Sequence, residues 1–344
     1  MTIAGIELLA LIGFLLAAYS VVANDAIQTL GTFLSSNAKR PWWVLWLYAA
    51  SILVAVTVYG YYTQDGDIAF GRLNQLPYSE VGIQWYHVLP AAVLLFLTRF
   101  GIPVSTTFLV LTVFALTGGV GTEGVLGKML TKSALGYVVA LVAGGFVYLC
   151  IARVWSRWID RTKGQRMHIG WVTAQWLSTA FLWWQWLAQD FANIFVFMPR
   201  VTTTAADGTV SVYFDPTVMI FGIVSMVILM AYVFASRGGK IQKIILNKTN
   251  TTDIRAAILV DLMFGAILFI FKEISDIPMS TTWVFMGLIA GRELAISYIA
   301  DLRSRSEAVR DVSMDMARLF FGLIISIVLA VAVPWIATGN MPSF

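Results

Sequence analysis

Two short runs decide the fold: Ala23-Asn24-Asp25-Ala26-Ile27-Gln28 and Ala188-Gln189-Asp190-Phe191-Ala192-Asn193. Each sets an aspartate among amides inside a long apolar segment, and both read Ala-amide-Asp-x-x-amide. A second pair follows them: Ile102-Pro103-Val104-Ser105-Thr106-Thr107 and Ile277-Pro278-Met279-Ser280-Thr281-Thr282. The aspartates lie 165 residues apart and the serines 175, so both pairs keep their order and nearly their spacing. One such match is a coincidence. Two in register indicate a chain built as a repeat.

The surroundings of these runs exclude a soluble protein. Of 344 residues, 59% are hydrophobic and 12% charged, with a mean hydropathy of +0.79. A soluble domain carries about 25% charged residues. Ten apolar segments can be drawn, at 3–37 (interrupted), 42–62, 83–100, 103–121, 133–155, 170–197, 216–236, 255–272, 278–297 and 317–338. Most approach the ~20 residues a helix needs to cross ~30 Å of hydrocarbon. The stretch from Met1 to Val22 has no basic residue, so it reads as a first membrane segment and not as a signal peptide. A lone cysteine, Cys150, excludes an intramolecular disulfide and a multi-cysteine metal site. The net charge of +4 points to no nucleic-acid partner, because the basic residues gather at segment ends.

Three basic clusters, 153–166, 237–255 and 292–318, belong in the cytoplasm by the positive-inside rule. Alternation then places Lys39, Arg40 and Arg99 inside as well, which gathers 18 of the 23 basic residues on one side. Both termini fall outside, as do the polar linkers 63–81 and 201–216. The expected protein is an all-α, multi-pass protein of the plasma (cytoplasmic) membrane. It has two inverted-topology repeats of about five segments each, with broken helices or re-entrant hairpins at the motifs. Residues 1–155 form the first repeat, 156–169 a basic cytoplasmic linker and 170–344 the second.

The motifs carry the chemistry. Proline favours a first helical turn, and Ser or Thr satisfies the free N–H groups there. Each Pro-x-Ser-Thr-Thr therefore reads as a helix start, whose exposed donors and positive dipole end suit an anion. Ser105, Thr106, Thr107, Ser280, Thr281 and Thr282 are the candidate anion contacts. A buried carboxylate is costly in a bilayer and usually faces a cavity or a partner. Asn24, Asp25, Gln28, Gln189, Asp190 and Asn193 supply the hard oxygen ligands an alkali cation or proton relay requires. An aspartate beside an anion repels it unless a cation lies between them, a physical reason for coupled binding. Arg99 and Lys272 read as interfacial, as do His87 and His168, while the role of Asp261 stays open. No phosphate-binding glycine loop, His-Glu-x-x-His or Gly-x-Ser-x-Gly is present, so no enzyme or ATP-driven pump is expected and no organic cofactor.

At these motifs the sequence resembles the inorganic phosphate transporter family, cation-coupled permeases of phosphate that include sulfate permeases. The family signature pairs an Ala-Asn-Asp-x-x-Asn run with Pro-x-Ser-Thr-Thr-His, twice. The resemblance runs through both halves but rests on about a dozen positions. It implies a homodimeric symporter in the lipid bilayer, moving phosphate, or else sulfate or another small oxyanion, with Na+ or H+ by alternating access. An uncoupled anion channel is the alternative with the same kind of site. It also implies Na+ bound at the Asp-amide residues and anion at the Ser-Thr-Thr turns. This chain departs from the pattern where Phe108 and Trp283 stand in place of the two histidines, and where Gln28 and Gln189 replace asparagines.

Overall fold

The computed structural model describes residues 2–3, 6–76, 78, 82–100, 104–117, 124–162, 167–236, 253–274, 278–299 and 304–339. Arg237, Lys240, Lys243 and Lys248 of one basic cluster lie outside them, with Lys163, Arg166, Arg303, Pro103, Ile277 and Asp276. The helices are α1 (Leu8–Val21), α2 (Ile27–Ser36), α3 (Trp42–Thr63), α4 (Trp85–Arg99) and α5 (Thr112–Thr117). Then follow α6 (Val125–Arg161), α7 (Ile169–Phe195), α8 (Pro216–Ala235), α9 (Ile254–Ile274), α10 (Thr281–Ile299) and α11 (Arg305–Thr338). Their ends follow local chemistry. Asp215 caps α8 by accepting from the Thr217 N–H at 2.8 Å, with Pro216 in the first turn. Ser304 caps α11, and Gly339 ends it at a φ of 72°, in the left-handed region that glycine adopts freely.

Six helical stretches among the described residues are long and apolar enough to span a bilayer; each overlaps a segment read from sequence, and those at Val125–Ile151 and Arg305–Ala337 begin well before the segments drawn at 133–155 and 317–338. The protein is an all-α membrane protein. Large apolar side chains face outward in helical rows, such as Ile220, Val224, Ile228 and Tyr232 on α8. That pattern suits lipid, because water-facing helices carry polar residues there. Helix α4 has 15 residues, about 22 Å of rise, which is short of a crossing. The described stretch after it, 104–117, carries a shorter apolar helix, Thr107–Thr117. Helix α9, with 21 residues, has full crossing length. Helix α6 runs through residue 155 to Arg161, so the segment read as a linker begins inside a helix.

The aspartate motifs do not break their helices. A five-residue π-helical turn, Val22–Ala26, carries Asn24 and Asp25 between α1 and α2, while α7 runs unbroken through Gln189, Asp190 and Asn193. Side-chain partners from neighbouring elements, Thr106 and Thr282 at Asp25 and Thr106 and Thr107 at Asn193, take up part of their hydrogen-bonding capacity. The polar linkers also differ from simple exposed loops. Residues 201–213 form an antiparallel hairpin, β3 (Val201–Thr204) with β4 (Val210–Tyr213), and a shorter pair, β1 (Thr2–Ile3) with β2 (Ile6–Glu7), precedes α1. Residues 64–76 fold into successive turns whose Ile68, Ala69, Leu73 and Leu76 are fully or almost fully buried. The two linkers meet: the Phe214 N–H donates to the Gly66 carbonyl at 3.1 Å. At another contact, Arg255 donates to Thr162 at 2.5 Å and lies over Trp158, which joins the 153–166 and 237–255 ends.

Helices α6 and α10 approach until backbone touches backbone. A Cβ added at Gly291 would strike the Leu141 carbonyl and the Gly145 nitrogen, and one at Gly287 the Tyr137 carbonyl. Gly287 and Gly291 form a Gly-x-x-x-Gly face against Gly144 and Gly145, the small-residue packing by which membrane helices associate closely. This contact fixes the position of α10, whose first residues are Thr281 and Thr282.

Candidate functional site

Both Ser-Thr-Thr motifs start helical segments, as their residue types require. The Phe108 N–H donates to Ser105 Oγ at 3.2 Å and the Trp283 N–H to Ser280 Oγ at 3.2 Å, so each serine caps its own turn. Ser280 is held in addition through its backbone N–H, which donates to Ser133 Oγ at 2.8 Å. The two turns touch, with the Thr107 hydroxyl donating to the Met279 carbonyl at 3.1 Å. Phe108 and Trp283 then meet edge to face, ring centroids 5.6 Å apart, and close an apolar side of the junction.

The aspartates lie against these turns. Asp25 accepts from Thr106 at 2.5 Å, from Thr282 at 3.3 Å and from Asn24 at 2.8 Å, so it is bound by hydroxyls of both turns. The Asn24 amide also donates to the Val104 carbonyl at 3.2 Å. Asn193 donates to Asp190 Oδ1, to Thr106 Oγ1 at 3.0 Å and to Thr107 Oγ1 at 3.2 Å. A continuous chain therefore runs Asp190, Asn193, Thr106, Asp25, and joins the two carboxylates through one hydroxyl. Asn24, Asp25, Asp190, Asn193, Thr106, Thr107, Ser280, Thr281 and Thr282 are each 2% exposed or less, and Ser105 is 5% exposed.

Two acceptors here are unsatisfied: Asp190 Oδ2 and Asn193 Oδ1 are buried without a hydrogen-bond partner. Buried polar atoms are nearly always paired, and an orphan marks a place for an ion, a water or a ligand. Both atoms are oxygens, one of them from a carboxylate, the ligand type a hard cation takes.

Ten of the twelve residues read as site residues from sequence therefore converge. Gln189 departs in its bonding: its Oε1 accepts from Arg72 Nε at 2.8 Å and its amide donates to the Leu268 carbonyl at 3.1 Å. The side chain of Gln28 lies outside the described residues. Arg72 was not legible as a site residue, because it stands in a stretch that reads as a polar linker. The signal available was its setting, Ile68-Ala69-Phe70-Gly71-Arg72-Leu73, an arginine within an apolar run.

Asp261 is fully buried and accepts from Thr32 and Thr179, each at 2.6 Å. Thr32 lies two helical turns beyond Asp25 and Thr179 three turns before Asp190, so Asp261 pins the helices that carry both aspartates. His87 is buried, contrary to the interfacial reading, and stacks on Phe114 at 4.7 Å. His168 caps α7 at the surface. Lys272 pairs with Glu273 at 3.3 Å and lies near the Phe70 ring.

No family model and no curated protein matches the sequence. Among solved structures, a chain described as "The sodium-dependent phosphate transporter" superposes with a TM-score of 0.64 at 16% sequence identity. The match covers 97% of this chain and 98% of that one. Over essentially its whole length, this chain has the fold of that transporter.

Proposed function

We propose that the protein is a secondary transporter moving inorganic phosphate together with a coupling cation, sodium first. The observation that carries the reading is the meeting of two Ser-Thr-Thr turns at a buried aspartate pair with orphan oxygens. The likeness in fold to a sodium-dependent phosphate transporter supports it. We read residues 1–155 and 170–344 as inverted repeats that exchange access to this site, working as a homodimer in the plasma membrane. The basic ends face the cytoplasm and both termini face outward.

The hydrogen bonds supply a reason for coupling. Thr106 and Thr282 donate their hydroxyl protons to Asp25, and Thr107 donates to a carbonyl. An oxyanion arriving alone finds these donors taken and meets a carboxylate of its own sign. A cation at the aspartates neutralises the carboxylate, weakens its hold on the hydroxyls and lets them turn to the anion. Cation first and anion second is the order this arrangement imposes.

Uptake of labelled phosphate and of labelled sulfate into proteoliposomes, with and without a sodium gradient, tests the reading. Phosphate accumulation driven by inward sodium is the expected result. Preference for sulfate reassigns the anion, anion current without cation dependence makes the protein a channel, and no anion flux under any cation gradient overturns transport altogether.

A further inference from the structure

Arg72 brings a buried positive charge to one half of the site only. It is 1% exposed, and it donates through Nε to Gln189 Oε1 at 2.8 Å and through Nη1 to the Phe70 carbonyl at 3.0 Å. Gln189 is the chain neighbour of Asp190, and the guanidinium acts electrostatically on that carboxylate. The equivalent amide of the first half, Asn24, instead donates to Asp25 and to Val104. The turn that holds Arg72 is built with care. Asp67 accepts from the N–H groups of Ala69 at 2.7 Å and Gly71 at 2.5 Å, and Phe70 and Gly71 take φ values of 53° and 78°. A bulky aromatic in the left-handed region is costly and persists only where surrounding contacts demand it. Asp67 and Asp190 both lie within electrostatic reach of the guanidinium.

We propose that Arg72 is a specificity-determining residue, a fixed positive charge that weakens cation binding at Asp190 and strengthens anion binding between the turns. The inference rests on the reading of this site as a joint cation and anion site. The argument is one of sign. A unit charge several ångströms away in a protein interior changes ion affinity on the order of tenfold, in opposite senses for the two ions. It gives the chain looser cation capture at Asp190 in exchange for anion attraction without a second ligand arginine. A loss of packing has no sign, so it degrades both affinities together.

The test compares wild type, Arg72→Gln and Arg72→Lys in proteoliposomes, with half-saturation measured for sodium and for phosphate. In Arg72→Gln the sodium value falls roughly tenfold and the phosphate value rises roughly tenfold, while Arg72→Lys stays near wild type. Arg72→Met, which removes the charge and keeps the buried stem, gives the same opposed shifts if Arg72→Gln does not fold. Shifts of the same sign, or none, overturn the inference and leave coupled transport standing. If wild type moves no phosphate, the transport reading fails on its own. Sodium titration of the thermal midpoint of detergent-purified protein then still decides on Arg72: tighter sodium binding in Arg72→Gln supports it, and unchanged or weaker binding overturns it.

Discussion

Asp25 accepts hydroxyls from both Ser-Thr-Thr turns, so its carboxylate ties the two turns together. In Asp25→Asn the charge that a cation must neutralise is gone. Phosphate uptake is expected to persist at a reduced rate and to lose its steep sodium dependence, measured by uptake at varied sodium; an unaltered dependence removes Asp25 from the coupling. Thr106→Val cuts the chain between Asp190 and Asp25 at its shared hydroxyl. Leaving buried acceptors unpaired costs about 1–3 kcal/mol, so uptake falls by roughly ten- to a hundredfold with the fold retained. These residues were legible because a carboxylate inside an apolar run, or a Ser-Thr-Thr after proline, has few bland explanations once it recurs. Arg72 and Asp261 were not, since their meaning comes from partners 117 and 229 residues away.

At the scale of elements, the glycine contact between α6 and α10 decides where the second Ser-Thr-Thr turn lies. Gly291→Val drives a side chain into the Leu141 carbonyl and the Gly145 backbone. Overpacking typically costs about 1–3 kcal/mol and more against backbone, so the thermal midpoint in detergent falls by several degrees and phosphate protection is lost. The salt bridge at the start of α9 predicts a pH effect. Arg255, 2.8 Å from Asp253, holds that carboxyl below its usual range. A depressed folded-state value stabilises the protein above the usual carboxylate range, and the contribution is lost as pH falls through the lowered value. Asp253→Asn therefore lowers the midpoint at neutral pH and shrinks the gap from wild type under acid conditions. The helix starts at Ser105 and Ser280 were legible from capping chemistry, whereas α6 and α11 run well past the apolar segments 133–155 and 317–338, because their polar turns at the membrane edge stay helical. The π-helical turn at Asn24 and Asp25 was not legible, because it answers to tertiary partners; Gly287 and Gly291 are visible in sequence, but nothing local names Gly145 as their partner.

For the whole molecule, sidedness is the property still open to a direct measurement. With Cys150 replaced by Ser, a cysteine at Asp207 in the hairpin loop is expected to react with an impermeant maleimide on intact cells. One at Glu307, at the start of α11, is expected to react only after permeabilisation. The reverse pattern inverts the topology. The single cysteine of the chain makes this experiment simple.

The bonds from Thr106 and Thr282 to Asp25 bear also on what happens when nothing is carried. A carrier that cycles with one ion aboard dissipates the gradient it exists to spend. Here Thr106 and Thr282 spend their hydroxyl protons on Asp25, so a ligand that needs those protons must first displace a bond of 2.5 Å and one of 3.3 Å. On the proposed transport reading, those two bonds set how readily the site admits one ion alone.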